Sequence, residues 1–176
     1  VRISIDLHSV MTRSAFRGTL ELENGNDAID LEDISVVLEI RDAEGNIVNE
    51  VFGIDSPELD GLTAVDGTGF LGSNSTGSAE FTVIPTKLAA PEDPTEYTIG
   101  GSLSYTENGQ RITVPLYSPP VTVYPQAELQ LDYFHSRDVF ADDPFTEEIE
   151  PSVPYNLAVL VKKQGKGAAR NLSIAS

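Results

Sequence analysis

Apolar side chains fall at every second position along most of this chain, and that period decides what it can fold into. The stretch Arg2-Ile3-Ser4-Ile5-Asp6-Leu7 alternates without a break, as does Thr19-Leu20-Glu21-Leu22-Glu23. The pattern returns in residues 36–40, 47–52, 79–84, 97–105, 111–117 and 120–124. Successive side chains of a β-strand point to opposite faces, so this spacing gathers the apolar residues on one face of a pleated sheet. No window of a dozen residues carries the 3.6-residue stripe of an amphipathic helix. Turn chemistry separates the runs. Asp42-Ala43-Glu44-Gly45-Asn46 joins two of them, and Glu107-Asn108-Gly109-Gln110 holds the Asn-Gly pair that favours a two-residue hairpin turn. Many short alternating runs, each bounded by turn residues, predict an all-β chain built as an antiparallel β-sandwich.

Three stretches break the alternation. Residues 55–77 are rich in Gly, Ser, Thr, Asn and Asp and predict a long loop. Residues 86–96, with Pro85, Pro91 and Pro94 at or near the ends, read as the crossing from one sheet to the other. Pro119, Pro120 and Pro125 bracket a last short strand and suit a stiff interdomain joint. Beyond that joint alternation resumes in residues 127–133. An acidic excursion over 138–151 follows, then residues 155–161, a Gly165-Lys166-Gly167 turn and a strand near the end that includes 172–175. Strand, loop, strand, glycine turn and strand is also the order of residues 1–40, which makes the tail a weak internal repeat. The expected organisation is one sandwich over residues 1–124 and the first three strands of a second over residues 125–176. Three strands have no facing sheet and do not bury an apolar face alone. The start at Val1 and the stop inside an apparent strand are expected of a piece of something longer.

Charge narrows the partners. The 176 residues include 28 acids and 11 bases, a formal net charge of −17. Nucleic acid and anionic membrane both require a basic face, which this balance does not supply. No apolar run approaches the roughly 18–20 residues of a membrane span, so no membrane insertion is expected. With no cysteine, a disulfide framework, a thiolate zinc site and a cysteine nucleophile are all excluded. His8 and His135 each follow the first strand of a unit, without the Ser, Asp or ligand spacing of a catalytic group, and read as structural.

The densest local chemistry is a run of carboxylates: Asp138, Asp142, Asp143, Glu147 and Glu148, with Glu150 beside them. Calcium takes six to eight hard oxygen ligands, so this loop is the candidate calcium site, and no other cofactor is expected. The other reading is a solvated loop neutralised by Arg137, Lys162, Lys163 or Arg170. Residues 151–176 carry Lys162, Lys163, Lys166 and Arg170 and no acid. Two further acidic groups, Glu23, Asp27, Asp30, Glu32 and Asp33, and Asp55, Glu58, Asp60 and Asp66, read as solvated loops. Tyr133, Phe134, Phe140, Phe145 and Tyr155 interleave with the acidic excursion and read as packing residues. Sugar-binding sandwiches favour tryptophan, which this chain lacks. The unfinished second unit is the candidate interface, through Tyr155, Leu157, Val159, Val161, Leu172 and Ile174. Its expected partners are neighbouring domains or other copies, joined by strand addition or domain packing.

The segment Asn156-Leu-Ala-Val-Leu-Val-Lys-Lys-Gln-Gly-Lys-Gly-Ala-Ala-Arg-Asn171-Leu-Ser-Ile resembles bacterial cell-adhesion-related Ig-like repeats. Tyr105-Thr-Glu-Asn-Gly, Ile112-Thr-Val-Pro and Val121-Thr-Val-Tyr-Pro125 are similar to the final hairpin of related Ig-like or fibronectin-like modules. Together these cover about a third of the chain. Residues 133–151 depart from the short turn of the common repeat. The resemblance implies an Ig-like sandwich followed by a partial second Ig-like unit, at an extracellular or cell-surface location. It implies a non-enzymatic structural or adhesive role, as stiff spacer and assembly interface. A calcium- or glycan-binding adhesin module and the accessory domain of a secreted enzyme are the alternatives.

Overall fold

The computed structural model describes residues 2–5, 8–135, 138, 142–151 and 153–175. Contacts divide the chain into Val1–Gln126 and Ala127–Ser176. The first unit contains β1 (Arg2–Ile5), β2 (Ser9–Met11), β3 (Phe16–Asn24), β4 (Leu31–Arg41), β5 (Phe52–Ile54) and β6 (Glu58–Asp60). It continues with β7 (Asp66–Leu71), β8 (Ser75–Pro85), β9 (Thr95–Glu107), β10 (Gln110–Leu116) and β11 (Pro120–Tyr124). Among the described residues, helix is confined to single 3-10 turns at Asn49–Val51 and Lys87–Ala89.

The alternation does what its period requires. Along β3, Phe16, Leu20 and Leu22 are buried while Arg17, Glu21 and Glu23 face solvent. One sheet runs β1-β3-β8, with β5 and β6 end to end on the far edge of β8. The other runs β2-β11-β9-β4-β7, with β10 on the same edge of β9 as β11. In the usual lettering these are A-B-E-D and A′-G-F-C, the strand order of an immunoglobulin-like sandwich, with β7 added beside C. Inward side chains of both sheets meet in two core clusters. Ile40, Phe52, Val83, Tyr97, Val121 and Val123 belong to one, and Leu20, Leu22, Ile34, Leu71, Phe81 and Leu103 to the other. Phe52 and Tyr97 meet edge to face at 4.9 Å, and the Tyr97 hydroxyl donates to the Ala89 carbonyl at 2.6 Å. Burial, and secondarily the negative charge of Asp42, pushes the Tyr97 phenol above its ordinary value.

Several expectations change. Residues 55–77 are not one loop: they hold β6, β7 and the start of β8, and they send Leu62 and Leu71 into the core. Residues 47–52 form an isolated bridge at Ile47 and a 3-10 turn rather than a strand, which begins only at Phe52. The Asn49 side chain holds that turn against β4, accepting from the Ile40 N–H at 2.7 Å and donating to the Leu38 carbonyl at 2.9 Å. The last short strand is as expected: β11 begins at Pro120, directly after Pro119, and pairs with both β9 and β2. The Asn108-Gly109 hairpin is as expected, with φ of 48° and 75° and Glu107 opposite Gln110.

The second unit contains β12 (Leu129–His135) and β13 (Leu157–Lys163), an antiparallel pair in continuous register from Leu129↔Lys163 to His135↔Leu157. The expected third strand at residues 172–175 is absent: those residues lie outside any strand. An alternating segment becomes a strand only when a neighbour satisfies its backbone, and among the described residues none pairs with this one.

Candidate functional site

Antiparallel pairing assigns each side chain of the β12–β13 hairpin to a face. Leu129, Leu131, Tyr133 and His135 share one face with Lys163, Val161, Val159 and Leu157. Six apolar side chains therefore lie together, and they remain largely open: Tyr133 is 70% exposed and Leu157 56%. The His135 ring meets Tyr155 at 5.2 Å in an edge-on arrangement. The opposite face is partly polar. Lys162 pairs with Asp132 at 2.6 Å, Gln130 Nε2 donates to Asp132 Oδ1 at 2.9 Å, and Gln164 donates to Gln130. At the glycine turn, the N–H groups of Gln164 and Gly165 both donate to the Glu128 carbonyl, at 2.7 and 3.2 Å.

Of the residues the sequence nominates for an interface, Leu157, Val159 and Val161 share this apolar face, and Tyr155 adjoins it through His135. Leu172 and Ile174 are exposed but belong to no strand. The sequence reading missed Leu129, Leu131 and Tyr133 as the other half of the face. Their own alternation in residues 127–133 was the available signal.

The acidic loop is organised by its own backbone. Asp142 Oδ1 accepts from the Glu150 N–H at 2.8 Å, and Asp143 Oδ1 accepts from the Phe145 N–H at 3.0 Å. Glu150 answers with both oxygens: Oε1 accepts from the Thr146 hydroxyl at 2.7 Å and Oε2 from the Asp143 N–H at 3.0 Å. The Thr146 hydroxyl, followed by the Asp143 amide, holds the Glu150 carboxyl down at about 2. Asp138, Asp142, Asp143, Glu147 and Glu148 are all exposed. Among the described residues, no three acidic or histidine side chains converge on a position that would hold a metal ion. Arg137 and Phe140 lie outside the described residues.

Two open grooves mark the outer faces of the first unit. One, of about 560 Å³, runs over β3, β6 and β8 and is lined by Glu21, Glu23, Asp60, Thr76 and Ser78. The other, of about 330 Å³, lies where β10 passes into β11 and is lined by Glu39, Arg41, Thr98, Gly100, Gly101 and Tyr117, among others. The sequence reading placed Gly100, Gly101 and Tyr117 inside ordinary strands. A glycine pair in mid-strand, Gly100-Gly101, followed further along by the proline pair Pro119-Pro120, was the signal for an irregular ladder.

No family model matches the chain, and no curated protein matches it. Solved structures with some likeness include a family 123 glycoside hydrolase from Clostridium perfringens, at 11% identity and a TM-score of 0.42 over 65% of this chain and 22% of that one. The periplasmic chaperone SfaE overlays at 10% identity and a TM-score of 0.41, over 70% of this chain and 58% of the chaperone. AggA, the major subunit of aggregative adherence fimbriae type I from Escherichia coli, overlays at 8% identity and a TM-score of 0.35, over 70% of this chain and 93% of that one. The chain thus spans only part of the hydrolase and of the chaperone. All three overlays are loose, and they assign neither family nor activity to this chain.

Proposed function

We propose that this chain is a non-enzymatic structural module of an extracellular or cell-surface protein, with the first unit a stiff spacer and the second an association surface. The extracellular setting rests on the resemblance carried by residues 105–125 and 156–174. The observation that carries the association role is the apolar face of Leu129, Leu131, Tyr133, Leu157, Val159 and Val161 on a sheet of two strands. A lone two-stranded ladder is at best marginally stable in water and needs a further strand or a packed layer. The two strands differ in charge: β12 begins directly after Glu128 and carries Asp132, whereas β13 ends in Lys162 and Lys163. The Lys162–Asp132 pair within the hairpin is therefore a contact that a second copy can repeat between molecules. We take the partner to be another copy of the same chain, joined through the hairpin.

Sedimentation equilibrium of the full chain tests this reading. Reversible self-association is expected, lost when the cross-strand pair is changed together as Tyr133→Glu and Val159→Glu. A chain that stays monomeric at every accessible concentration, or a double variant that associates as well as the original, removes the proposal.

A further inference from the structure

The groove at the β10–β11 junction has a construction that the spacer role does not require. Its floor is Gly100 and Gly101 on β9. A Cβ on Gly100 would lie 2.6 Å from the Leu116 carbonyl oxygen and 4.0 Å from Tyr117 Cα. The missing side chain is therefore what lets the Leu116 backbone lie this close to β9 at the groove floor. Pairing of β10 with β9 brings Leu116 opposite Gly101, while β11 brings Pro120 opposite Thr98. Three residues, Tyr117 to Pro119, thus face two on β9, and this bulge re-aims the chain outward. Ser118 fixes the bulge, its hydroxyl accepting from the Ile99 N–H at 3.2 Å and donating to the Pro119 carbonyl at 3.1 Å.

The far wall comes from β4, where Glu39 sits opposite Gly100 and Arg41 opposite Thr98. The Arg41 guanidinium donates to Glu39 Oε2 at 2.6 Å and to the Gly45 carbonyl at 2.7 Å. Those bonds fix a planar polar wall while committing only two of the five guanidinium donors. Tyr117 lines the other side of the groove, on chain two strand spacings from β4, roughly 9–10 Å, and is 80% exposed. An aromatic platform on one side and a pre-oriented acid–guanidinium pair on the other is the chemistry that recognises a sugar ring. The C–H face of a pyranose rests on the ring, and its hydroxyls both donate to the carboxylate and accept from the guanidinium. A net charge of −17 with Glu39 in the wall disfavours anionic ligands, and the guanidinium disfavours cations.

We propose that this groove binds a neutral saccharide, independently of the hairpin's association role. The test is a titration of the full chain, followed by amide chemical shifts, with cellohexaose, xylohexaose, mannohexaose and N-acetylchitohexaose at millimolar concentration. Saturable binding to at least one is expected, with shifts centred on Gly100, Gly101 and Ser118. Tyr117→Ala is expected to weaken it about tenfold, equivalent to ~1.4 kcal/mol, while Tyr117→Phe keeps most of the affinity. Arg41→Gln is expected to weaken it as well, and both Tyr117 variants should melt like the original because that side chain is exposed. No saturable binding to any of the four sugars overturns the proposal. So does binding unaffected by Tyr117→Ala, or a groove that takes a proline-rich decapeptide in place of the sugars.

Discussion

Replacing Gly101 by alanine is expected to destabilise the first unit by about 2–6 kcal/mol, the sum of two independent costs. Gly101 holds φ at 127°, a conformation that costs a residue with a Cβ roughly 1–3 kcal/mol. The new methyl would also stand 1.8 Å from the Val37 carbonyl oxygen and 3.1 Å from the Glu39 nitrogen. Both are backbone atoms of β4, so two paired central strands have to part. Overpacking of that kind adds about 1–3 kcal/mol. With an unfolding entropy of roughly 2.1 cal/mol/K per residue, each kcal/mol in a unit of this size moves the melting temperature by about 4 °C. A fall of roughly 8–24 °C should appear by scanning calorimetry on the full chain. Gly18→Ala is the matched control: the same methyl, added to a buried strand position, meets nothing within 4 Å. Alanine there should hold or raise stability, by up to about 1 kcal/mol. Melting of Gly101→Ala within about 3 °C of the original, or an equal loss in Gly18→Ala, would refute the steric reasoning.

Two further outcomes follow from single side chains. Asn24 is buried and donates to the carbonyls of Ile29 and Gly72 at 2.9 and 3.0 Å while accepting from the Asn26 N–H at 3.2 Å. Asn24→Ala leaves these groups without that partner and should cost about 2–3 kcal/mol in urea unfolding; a loss indistinguishable from zero would mean water replaces all three bonds. Glu150 titrates near 2 instead of its ordinary 4.5, so its contribution to loop order is fully present above the ordinary value and is lost as pH falls through 4.5 toward 2. Thr146→Val should bring the carboxyl midpoint back up toward the ordinary value by carbon-detected NMR titration, and an unmoved midpoint contradicts the assigned cause.

The sandwich is legible in the sequence wherever inward residues are large and outward ones charged, as in Phe16 to Glu23, because burial and alternation then coincide. The Asn-Gly turn is equally plain, since positive φ at two successive residues selects few side chains. β7 escapes notice because it reads Asp-Gly-Thr-Gly-Phe-Leu. Its Gly69 is there for close approach: a Cβ would come 2.0 Å from the Ala64 carbonyl, yet glycine in a polar stretch looks like a loop. The hairpin face was half legible, through Leu157, Val159 and Val161. The groove was not, because it is made by an absent side chain on one strand and a register shift on another. Neither changes the period of the surrounding residues.

The pairing of β2 with β11 is parallel, placing Ser9 beside Thr122 and Met11 beside Tyr124. It is tied at one end by the Thr122 N–H on the His8 carbonyl at 3.0 Å and at the other by the Thr12 N–H on the Tyr124 carbonyl at 2.9 Å. A pull on the amino side of β2 and on the carboxyl side of β11 runs in opposite directions along this pair. The bonds are then loaded together, in shear, instead of being opened one after another like a zipper. Resistance to force in such a clamp is set by the rate of its first rupture and not by the equilibrium stability of the whole. The early crossing of the chain between sheets thus sets the first and last strands of the second sheet's edge in a shear geometry with respect to such a pull.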